Sequence, residues 1–502
     1  MNLLLEKETP LTTESLAREL IDKRLKRESA DLKERFKDTE LYNPSHSYKV
    51  GQKLLFQTFE YAPGTVMSVR RGNNTEYGAF SVVGVKFDGS DEVREFASEL
   101  TVPHKLSQAV TNGDNPLTAK PEFTTDEILA AGRTDILAVL EKHLAASTDL
   151  VSIGGKWFPR ELMLEVNQGH INLAEAVLDI AGGGPLTTDE ILEQMGGLGK
   201  APQELQKFTL NYALRDDPRF DEVGPTGHVF WYLTRLEPSE VMQIPANLRY
   251  VPVDYDRGLL TPDMVALEAE IDDELSPANA PVEVGDEVAI TLTYPHRRVG
   301  TLPLTARIRQ IVPTALKTQR VWITLVDGQD GEETTGWVVR NEGYIFGLAN
   351  FYRKHRLPIG AYVKIKRSED PSKIIVDFNA HRPRTEYVRL IVPKNDQLQF
   401  ENHKRSIGAE YDDLMIIGVD DLAAVDALFQ ATQQQRKSIS SILKMVMPGL
   451  SRLTPQGTTH AKTLYSVLNV LRRCPPGPIF ATLVANPDFQ NVGGHYWKLV
   501  ED

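Results

Sequence analysis

Cationic and amide side chains cluster near the C-terminus in a pattern that suits nucleic-acid binding. Lys462, Asn469, Arg472 and Arg473 lie in one short run. Lysine and arginine bind phosphate oxygens, and an amide side chain can pair with the edge of a base. The run therefore predicts phosphate contacts by the three cations and base recognition by Asn469. Tyr465, in the same run, is expected to lie partly in the core.

A second polar group follows closely in the sequence. Asn491, His495 and Lys498 flank the glycine turn at Gly493-Gly494. In a winged helix, one helix enters the major groove while the terminal hairpin, or wing, touches the DNA backbone. These three residues are the predicted wing contacts. The alternative is that the basic C-terminal surface docks onto the acidic segment Glu237–Glu287 of the same chain.

Other chemistry-bearing residues do not form a catalytic pattern. Gly196–Lys200 lacks the spacing and the Ser or Thr of a phosphate-binding loop, and predicts a turn between helices. Cys474 has no evident base partner. The acids of Asp272-Asp273-Glu274 would point in different directions on a helix. The eleven histidines are scattered without metal-ligand spacing. We expect no enzyme activity, no catalytic residue, no metal and no cofactor.

The elements that would position the basic residues include a hairpin that occurs three times. Each copy has a short strand, a glycine turn and a strand with an aromatic pair, and each follows a helical run. The turns are centred on Gly154-Gly155, Pro225-Thr226-Gly227 and Gly493-Gly494, and the returning strands carry Trp157, Trp231 and Trp497. The pattern predicts three winged-helix modules. The alternative is three unrelated hairpins.

The composition of each segment and the glycine, proline and asparagine turns between segments predict a multi-domain α+β fold. It would contain three winged-helix modules and two small β-barrel-like modules. The expected segments are a helical segment (1–40), a β-barrel-like module (46–106), a winged module (121–168), a second winged module (169–236), an acidic linker with a short helix (237–281), a β-rich module (282–393) and a basic winged module (421–502).

Charge differs sharply between these segments, although the chain as a whole carries −13. Residues 427–487 contain seven Lys or Arg and no acid, whereas 171–235 contain ten acids and five bases. Opposite charge in separate modules favours different partners. We expect the acidic module to contact protein, or to bind nothing, rather than to lie in a DNA groove.

The cellular compartment is predicted from the low cysteine content and from the apolar segments of the sequence. A single cysteine excludes an internal disulfide framework, and Leu3-Leu4-Leu5 is too short for the core of a signal peptide. No apolar stretch approaches the roughly 20 residues of a membrane span. A cytoplasmic protein without a membrane partner is expected.

The second winged module resembles a known family. Its order of A-x-x-x-L, P-L-T-T-x-E-I, a long helix and R-F-x-x-V-G is similar to the HARE-type winged helix, over Ile171–Leu236. That family includes the N-terminal domain of the bacterial RNA polymerase delta subunit. The resemblance implies a nucleic-acid or transcription-complex setting, with RNA polymerase or another complex as the partner of this acidic module, and no catalytic residues.

The β-rich module has a fainter resemblance. Residues 336–340 and 351–363 look like the plant-type pseudobarrel DNA-binding domain, although Ala361 replaces the usual acid after Gly360. If so, Arg297 and Arg298 belong to a phosphate-facing rim.

The sequence thus predicts a non-enzymatic protein that binds DNA or the transcription machinery, mainly through the basic C-terminal module. One alternative is a recognition or accessory subunit of a restriction or defence system. Another is a protein–protein scaffold without nucleic-acid binding.

Overall fold

The computed structural model describes residues 4, 8–35, 39–59, 61–102, 123–277, 284–315, 318–395 and 397–500. It divides into two compact units, Met1–Met163 and Leu164–Asp502. The predicted α+β multi-domain character is confirmed. No helix in the described ranges has the length and apolar character needed to cross a membrane.

The first unit contains eight strands and two helices within its described residues. In chain order they are β1 (Leu11–Thr12), α1 (Thr13–Arg35), β2 (Thr39–Leu41), β3 (Lys53–Phe56), β4 (Ala62–Arg71), β5 (Ser81–Phe87), β6 (Val93–Ser98), α2 (Thr125–Ala145), β7 (Leu150–Ile153) and β8 (Lys156–Pro159).

Strands β2 to β6 form one five-stranded sheet in sequence order. The pair β2–β3 is parallel and the other pairs are antiparallel. Apolar side chains from alternating positions, among them Leu54, Phe56, Val66, Val83 and Val85, fill its core. This is the region for which the sequence predicts a compact β module.

The first predicted winged module differs from its predicted boundaries. Its sheet has the order β1-β8-β7, with Leu11 opposite Trp157. Strand β1 and helix α1 therefore belong with α2 and the hairpin, although the whole β2–β6 sheet lies between them in sequence. The separation of a 1–40 segment from a 121–168 module is wrong. A two-residue strand is too short to give an alternation signal.

The second unit contains the remaining elements. They are α3 (Gln168–Ile180), β9 (Leu186–Thr187), α4 (Thr188–Met195), α5 (Gln203–Arg215), β10 (Phe220–Glu222), β11 (Phe230–Leu233), α6 (Ser239–Met242), α7 (Pro262–Ile271), β12 (Glu287–Thr291), α8 (Tyr294–Val299), β13 (Thr301–Pro303), β14 (Arg320–Asp327), β15 (Glu333–Val339), β16 (Tyr344–Phe346), α9 (Ala349–Lys354), β17 (Tyr362–Arg367), β18 (Lys373–Asp377), β19 (Ala380–Lys394), β20 (Gln397–Ala409), β21 (Ile417–Val419), α10 (Leu422–Gln434), α11 (Ile439–Ser451), β22 (Thr459–His460), α12 (Ala461–Leu471), α13 (Pro476–Ala485), β23 (Phe489–Gly493) and β24 (Tyr496–Leu499).

Two stretches of this unit have the element order of a winged helix: helix, strand, two helices, hairpin. They are α3 to β11 and α11 to β24, and their sheets have the orders β9-β11-β10 and β22-β24-β23. Trp231 lies opposite Leu186, and Trp497 opposite Thr459. The predicted positions of the three hairpins and their tryptophans are confirmed.

Between these stretches, seven strands form a curled half-barrel sheet. Its order is β12-β17-β18-β14-β15-β16-β13, and β14–β18 is the one parallel pair. The sheet ends at Asp377, so the predicted boundary at 393 is wrong. Strand β19 instead pairs with β20 and β21 in a separate sheet.

Residues 237–277, here called the strap, are packed against the body of the second unit. Thr261 caps α7 by accepting a hydrogen bond from Met264 N at 3.3 Å, and Asp272 ends it in the left-handed region at φ 52°. Met264, Leu267 and Ile271 share one buried core with the C-terminal helices. The prediction of a linker is therefore wrong.

Candidate nucleic-acid interface

The predicted C-terminal contact helix is buried. All eleven residues of α12 are inaccessible, including Lys462. Lys462 Nζ lies 2.7 Å from Asp412 Oδ2 and 2.5 Å from Glu270 Oε1. A buried lysine that is paired with the buried Asp412 and with Glu270 is not presented to phosphate. The prediction that Lys462 binds a nucleic acid is wrong for this reason.

Arg473 and Asn469 are also used internally. Arg473 is 2% exposed and its guanidinium contacts Asp273 Oδ1 and Glu274 Oε1, both at 2.7 Å. Asn469 Nδ2 donates to Cys474 O, and Asn469 Oδ1 accepts from Cys474 N. These contacts contradict the predicted phosphate and base contacts of the two residues.

Arg472 is half-buried, and its Nη1 donates to Lys437 O at 2.7 Å. This contact lies within the basic region itself, whereas the pairs of Lys462 with Glu270 and of Arg473 with Asp273 and Glu274 match the competing interpretation, in which the basic run docks onto the acidic segment. Glu270, Asp273 and Glu274 all belong to the strap.

The two arginines of the predicted rim have partners as well. Arg297 Nε donates to Leu357 O at 2.9 Å, and its guanidinium lies 5.7 Å from the ring centre of Tyr352. Burial lowers the pKa of Arg297. Arg298 pairs with Asp426 at 2.5 Å. Neither arginine projects freely, so the predicted rim is not formed by this pair.

The third helices of the two winged stretches do not offer a basic face. Helix α13 contains no Lys or Arg, and seven of its ten residues are buried. In α5, Lys207 pairs with Asp189 at 2.8 Å and with Glu204 at 3.1 Å. Neither helix is suited to enter a groove.

The wing of the acidic module packs on the half-barrel sheet. Trp322 N donates to Val223 O at 2.9 Å, and Thr226 N donates to Thr314 O at 2.7 Å. Arg320 bridges Asp221 and the buried Glu237. This wing is therefore covered by its own chain, and contact of the module with another protein stays a prediction.

The C-terminal wing is accessible. Asn491 and Lys498 are exposed and His495 is half-buried. Asn491 Oδ1 accepts from Gly493 N at 2.8 Å, and His495 has a φ of +64° in the turn. The hairpin thus holds these residues at the surface where the sequence places them. Their contact with a nucleic acid remains a prediction.

A more exposed feature is the two-stranded ribbon of β19 and β20. Every residue from Glu401 to Ser406 is exposed. Tyr387 lies opposite Lys404, is 65% exposed, and has the Lys404 ammonium 5.4 Å from its ring centre. A ribbon of this kind has the width to enter a major groove or to support bases on an aromatic ring.

Several cations on this ribbon have no ion-pair partner and could contact phosphate. Arg382, Arg384 and Lys404 form no ion pair with any residue that the structure describes. By contrast, Arg405 pairs with Asp420, and His403 lies 2.9 Å from Glu401. The ribbon thus combines unpaired cations with an exposed aromatic ring.

A chain of contacts leads from the ribbon to the C-terminal wing. Arg389 Nη1 donates to Asp413 O at 2.8 Å, and the adjacent Asp412 binds Lys462 at 2.7 Å. Lys462 N donates to His460 Nδ1, and the ring of His460 lies 4.9 Å from that of Tyr496. We define the ribbon–wing face as Arg382, Arg384, Tyr387, Asn402, Lys404, His495, Tyr496 and Lys498.

Sequence reasoning missed the ribbon because it divided β19 and β20 between a β module ending at 393 and an unassigned stretch before 421. A signal was present. Apolar positions alternate through Val388, Leu390 and Val392, and again through Leu398 and Phe400, on either side of Pro393–Gln397.

Two other groups that could bind a metal or act as a nucleophile are blocked by their surroundings. Asp327, Asp330 and Glu332 lie close enough for a cation, but Lys354 Nζ contacts all three at 2.8, 2.5 and 2.7 Å. Burial raises the pKa of the Cys474 thiol to about 12, which makes it a poor nucleophile.

Two of the acids of Asp272-Asp273-Glu274 share a partner. Asp273 and Glu274 both lie 2.7 Å from Arg473, and Glu274 is also 3.2 Å from His296. Asp272 pairs instead with Arg307 at 3.0 Å.

Comparison with known protein families, with curated proteins and with solved structures gives no match to this chain.

Proposed function

We propose that this chain is a non-enzymatic nucleic-acid-binding protein whose main contact is the ribbon–wing face. The observation that carries the proposal is the run of six exposed residues, 401–406, opposite the exposed Tyr387 with Lys404 beside its ring. The surface offers the cations, amide and aromatic ring through which proteins bind phosphates and bases.

The likeness of Ile171–Leu236 to HARE-type winged helices supports a setting in transcription or DNA modification. The seven-stranded, curled half-barrel supports the pseudobarrel resemblance. In this proposal both modules provide the rigid base from which the ribbon projects, because the acidic wing packs on the sheet.

Direct binding measurements test the proposal. The full chain is titrated against a fluorescent duplex and a fluorescent single strand at several salt concentrations. The variant Arg382→Gln/Arg384→Gln/Lys404→Gln should bind more weakly. Its slope of log affinity against log salt should fall by about two to three units, roughly one for each phosphate-binding cation that is removed.

A matched control removes the same charge elsewhere. Lys200, Arg353 and Arg452 are exposed residues outside the ribbon. The variant Lys200→Gln/Arg353→Gln/Arg452→Gln should keep nearly the full slope. Equal losses in both variants would show that only net charge matters, and would contradict the proposed face.

The second candidate function is a protein–protein scaffold. It is favoured by the burial of α12 and by the use of the acidic wing inside the chain. Absence of binding to either nucleic acid at low salt would leave this candidate in place of the proposal.

A further inference from the structure

Tyr387 has a feature that phosphate binding alone does not use. Its ring is 65% exposed in the middle of a strand, where an aromatic side chain ordinarily packs against neighbours. Its cross-strand partner is Lys404, whose ammonium lies over the ring, so no apolar side chain covers it from that position. A large aromatic surface is left open to solvent beside a cation.

A second exposed ring lies on the adjoining wing. Tyr496 is 37% exposed, and the ring of His460 meets it edge-on with centres 4.9 Å apart. His460 is itself 8% exposed, and its Nδ1 accepts from Lys462 N at 3.1 Å. The orientation of Tyr496 is therefore fixed from beneath by a buried neighbour.

The two strands of the ribbon carry six Lys or Arg and two Glu, and part of this charge is already paired. Glu386 and Glu401 lie among its basic residues, and Arg389 and Arg405 already have partners. Four cations of the ribbon–wing face, Arg382, Arg384, Lys404 and Lys498, form no ion pair with a described residue, and contacts that do not depend on charge would add to what they supply. Stacking of bases on aromatic rings is such a contact and tolerates any sequence.

We infer that the ribbon–wing face binds unpaired nucleotides, with Tyr387 as the principal stacking ring, Tyr496 as a second ring, and Lys404 as a phosphate contact. The inference rests on the proposed function and specifies its ligand as single-stranded nucleic acid. A duplex keeps its bases stacked on one another, so these rings would remain unused.

The test measures fluorescence anisotropy with the full chain and three probes. They are an oligothymidylate and an oligouridylate of about 20 nucleotides, longer than the roughly 4–16 nucleotides of one single-strand site, and a duplex of equal length. The two single strands separate DNA from RNA. We expect tighter binding to at least one single strand than to the duplex.

Two variants at one position isolate stacking. Tyr387→Leu should weaken single-strand binding by roughly 5- to 150-fold, the range for loss of one stacked base, and should leave duplex binding unchanged. Tyr387→Phe keeps the ring and should bind within about twofold of the unaltered protein, since stacking needs only an aromatic face. Circular dichroism establishes that the fold is intact.

A control tyrosine lies in the first unit. Tyr77 is 47% exposed, and Tyr77→Leu should leave binding to every probe unchanged. Equal or tighter binding to the duplex, or an unchanged affinity of Tyr387→Leu for single strands, would overturn the inference while the proposed function stands. Failure to bind any probe at low salt would overturn both.

Discussion

Arg472 and Arg473 are neighbours in sequence but differ in their surroundings. Both suggested phosphate contacts because the sequence contains no acid nearby. Their partners come from residues about 200 positions away for Arg473 and 35 for Arg472. Side-chain type and spacing along a helix therefore could not show which arginine is exposed.

The two arginines should differ in their contribution to stability. Arg473→Ala leaves Asp273 buried without its partner and should lower the free energy of unfolding by about 3–5 kcal/mol. Arg472→Ala removes one hydrogen bond to a carbonyl and should cost about 1 kcal/mol. Urea unfolding measures both values, and equal losses would contradict the assigned environments.

Glu237 should make stability depend on pH. Burial, and next the neighbouring Asp221, raise its pKa from 4.5 to about 8, although Arg320 acts in the opposite direction. Between these values the folded state binds more protons than the unfolded state. Stability should therefore fall as pH rises from about 5 to 8, with a slope of at most about 1.4 kcal/mol per pH unit.

The variant Glu237→Gln removes this titration and should flatten the dependence. Glu193 is exposed in α4, and Glu193→Gln serves as the control that should leave it unchanged. Burial also raises the pKa of Glu222 to about 7, so some slope should persist. A dependence identical in Glu237→Gln and the unaltered protein would contradict the assignment.

At the scale of elements, the three hairpins were predictable because each carries a local signal. Gly154 and Gly155 both have positive φ, at 55° and 74°, which side chains other than glycine rarely adopt. The strands Leu11–Thr12, Leu186–Thr187 and Thr459–His460 that complete the sheets have no such signal. Their pairing depends on distant residues.

The equivalent tryptophans of the second unit allow a comparison of one hydrogen bond. Trp231 Nε1 donates to Asn211 Oδ1 at 2.8 Å, whereas Trp497 Nε1 has no partner among the described residues. Both side chains are buried, so replacement by Phe removes a similar volume.

Trp231→Phe should therefore destabilise the protein by about 1 kcal/mol more than Trp497→Phe. Chemical unfolding of the two variants under the same conditions gives this difference. A larger loss of unfolding free energy for Trp497→Phe would contradict the assignment of the stabilising hydrogen bond to Trp231.

At the scale of the whole second unit, the strap explains the charge asymmetry. Its acids neutralise cations of the C-terminal helices, as in the pairs Glu270–Lys462 and Asp273–Arg473. The acidic, proline-containing composition of the strap is typical of a linker. Composition alone does not show that its acids pair with cations elsewhere in the chain. The acidic segment and the basic C-terminal module, which the sequence analysis separates, share one core here.

The C-terminal module should therefore not fold alone. Its core includes Met264 and Leu267 from the strap, and Leu398 and Phe400 from the ribbon. A fragment of residues 421–502 should show random-coil circular dichroism, whereas 164–502 should fold. A well-dispersed amide spectrum from the shorter fragment would contradict the shared core.

Mapping the contact by crosslinking tests the central claim most directly. A single strand carrying photoreactive iodouracil is irradiated with the full chain, and mass spectrometry identifies the modified residues. Adducts on Tyr387 and Tyr496, abolished when unmodified strand competes, are the predicted result. Adducts confined to residues outside the ribbon–wing face, or no adducts at all, would contradict the account.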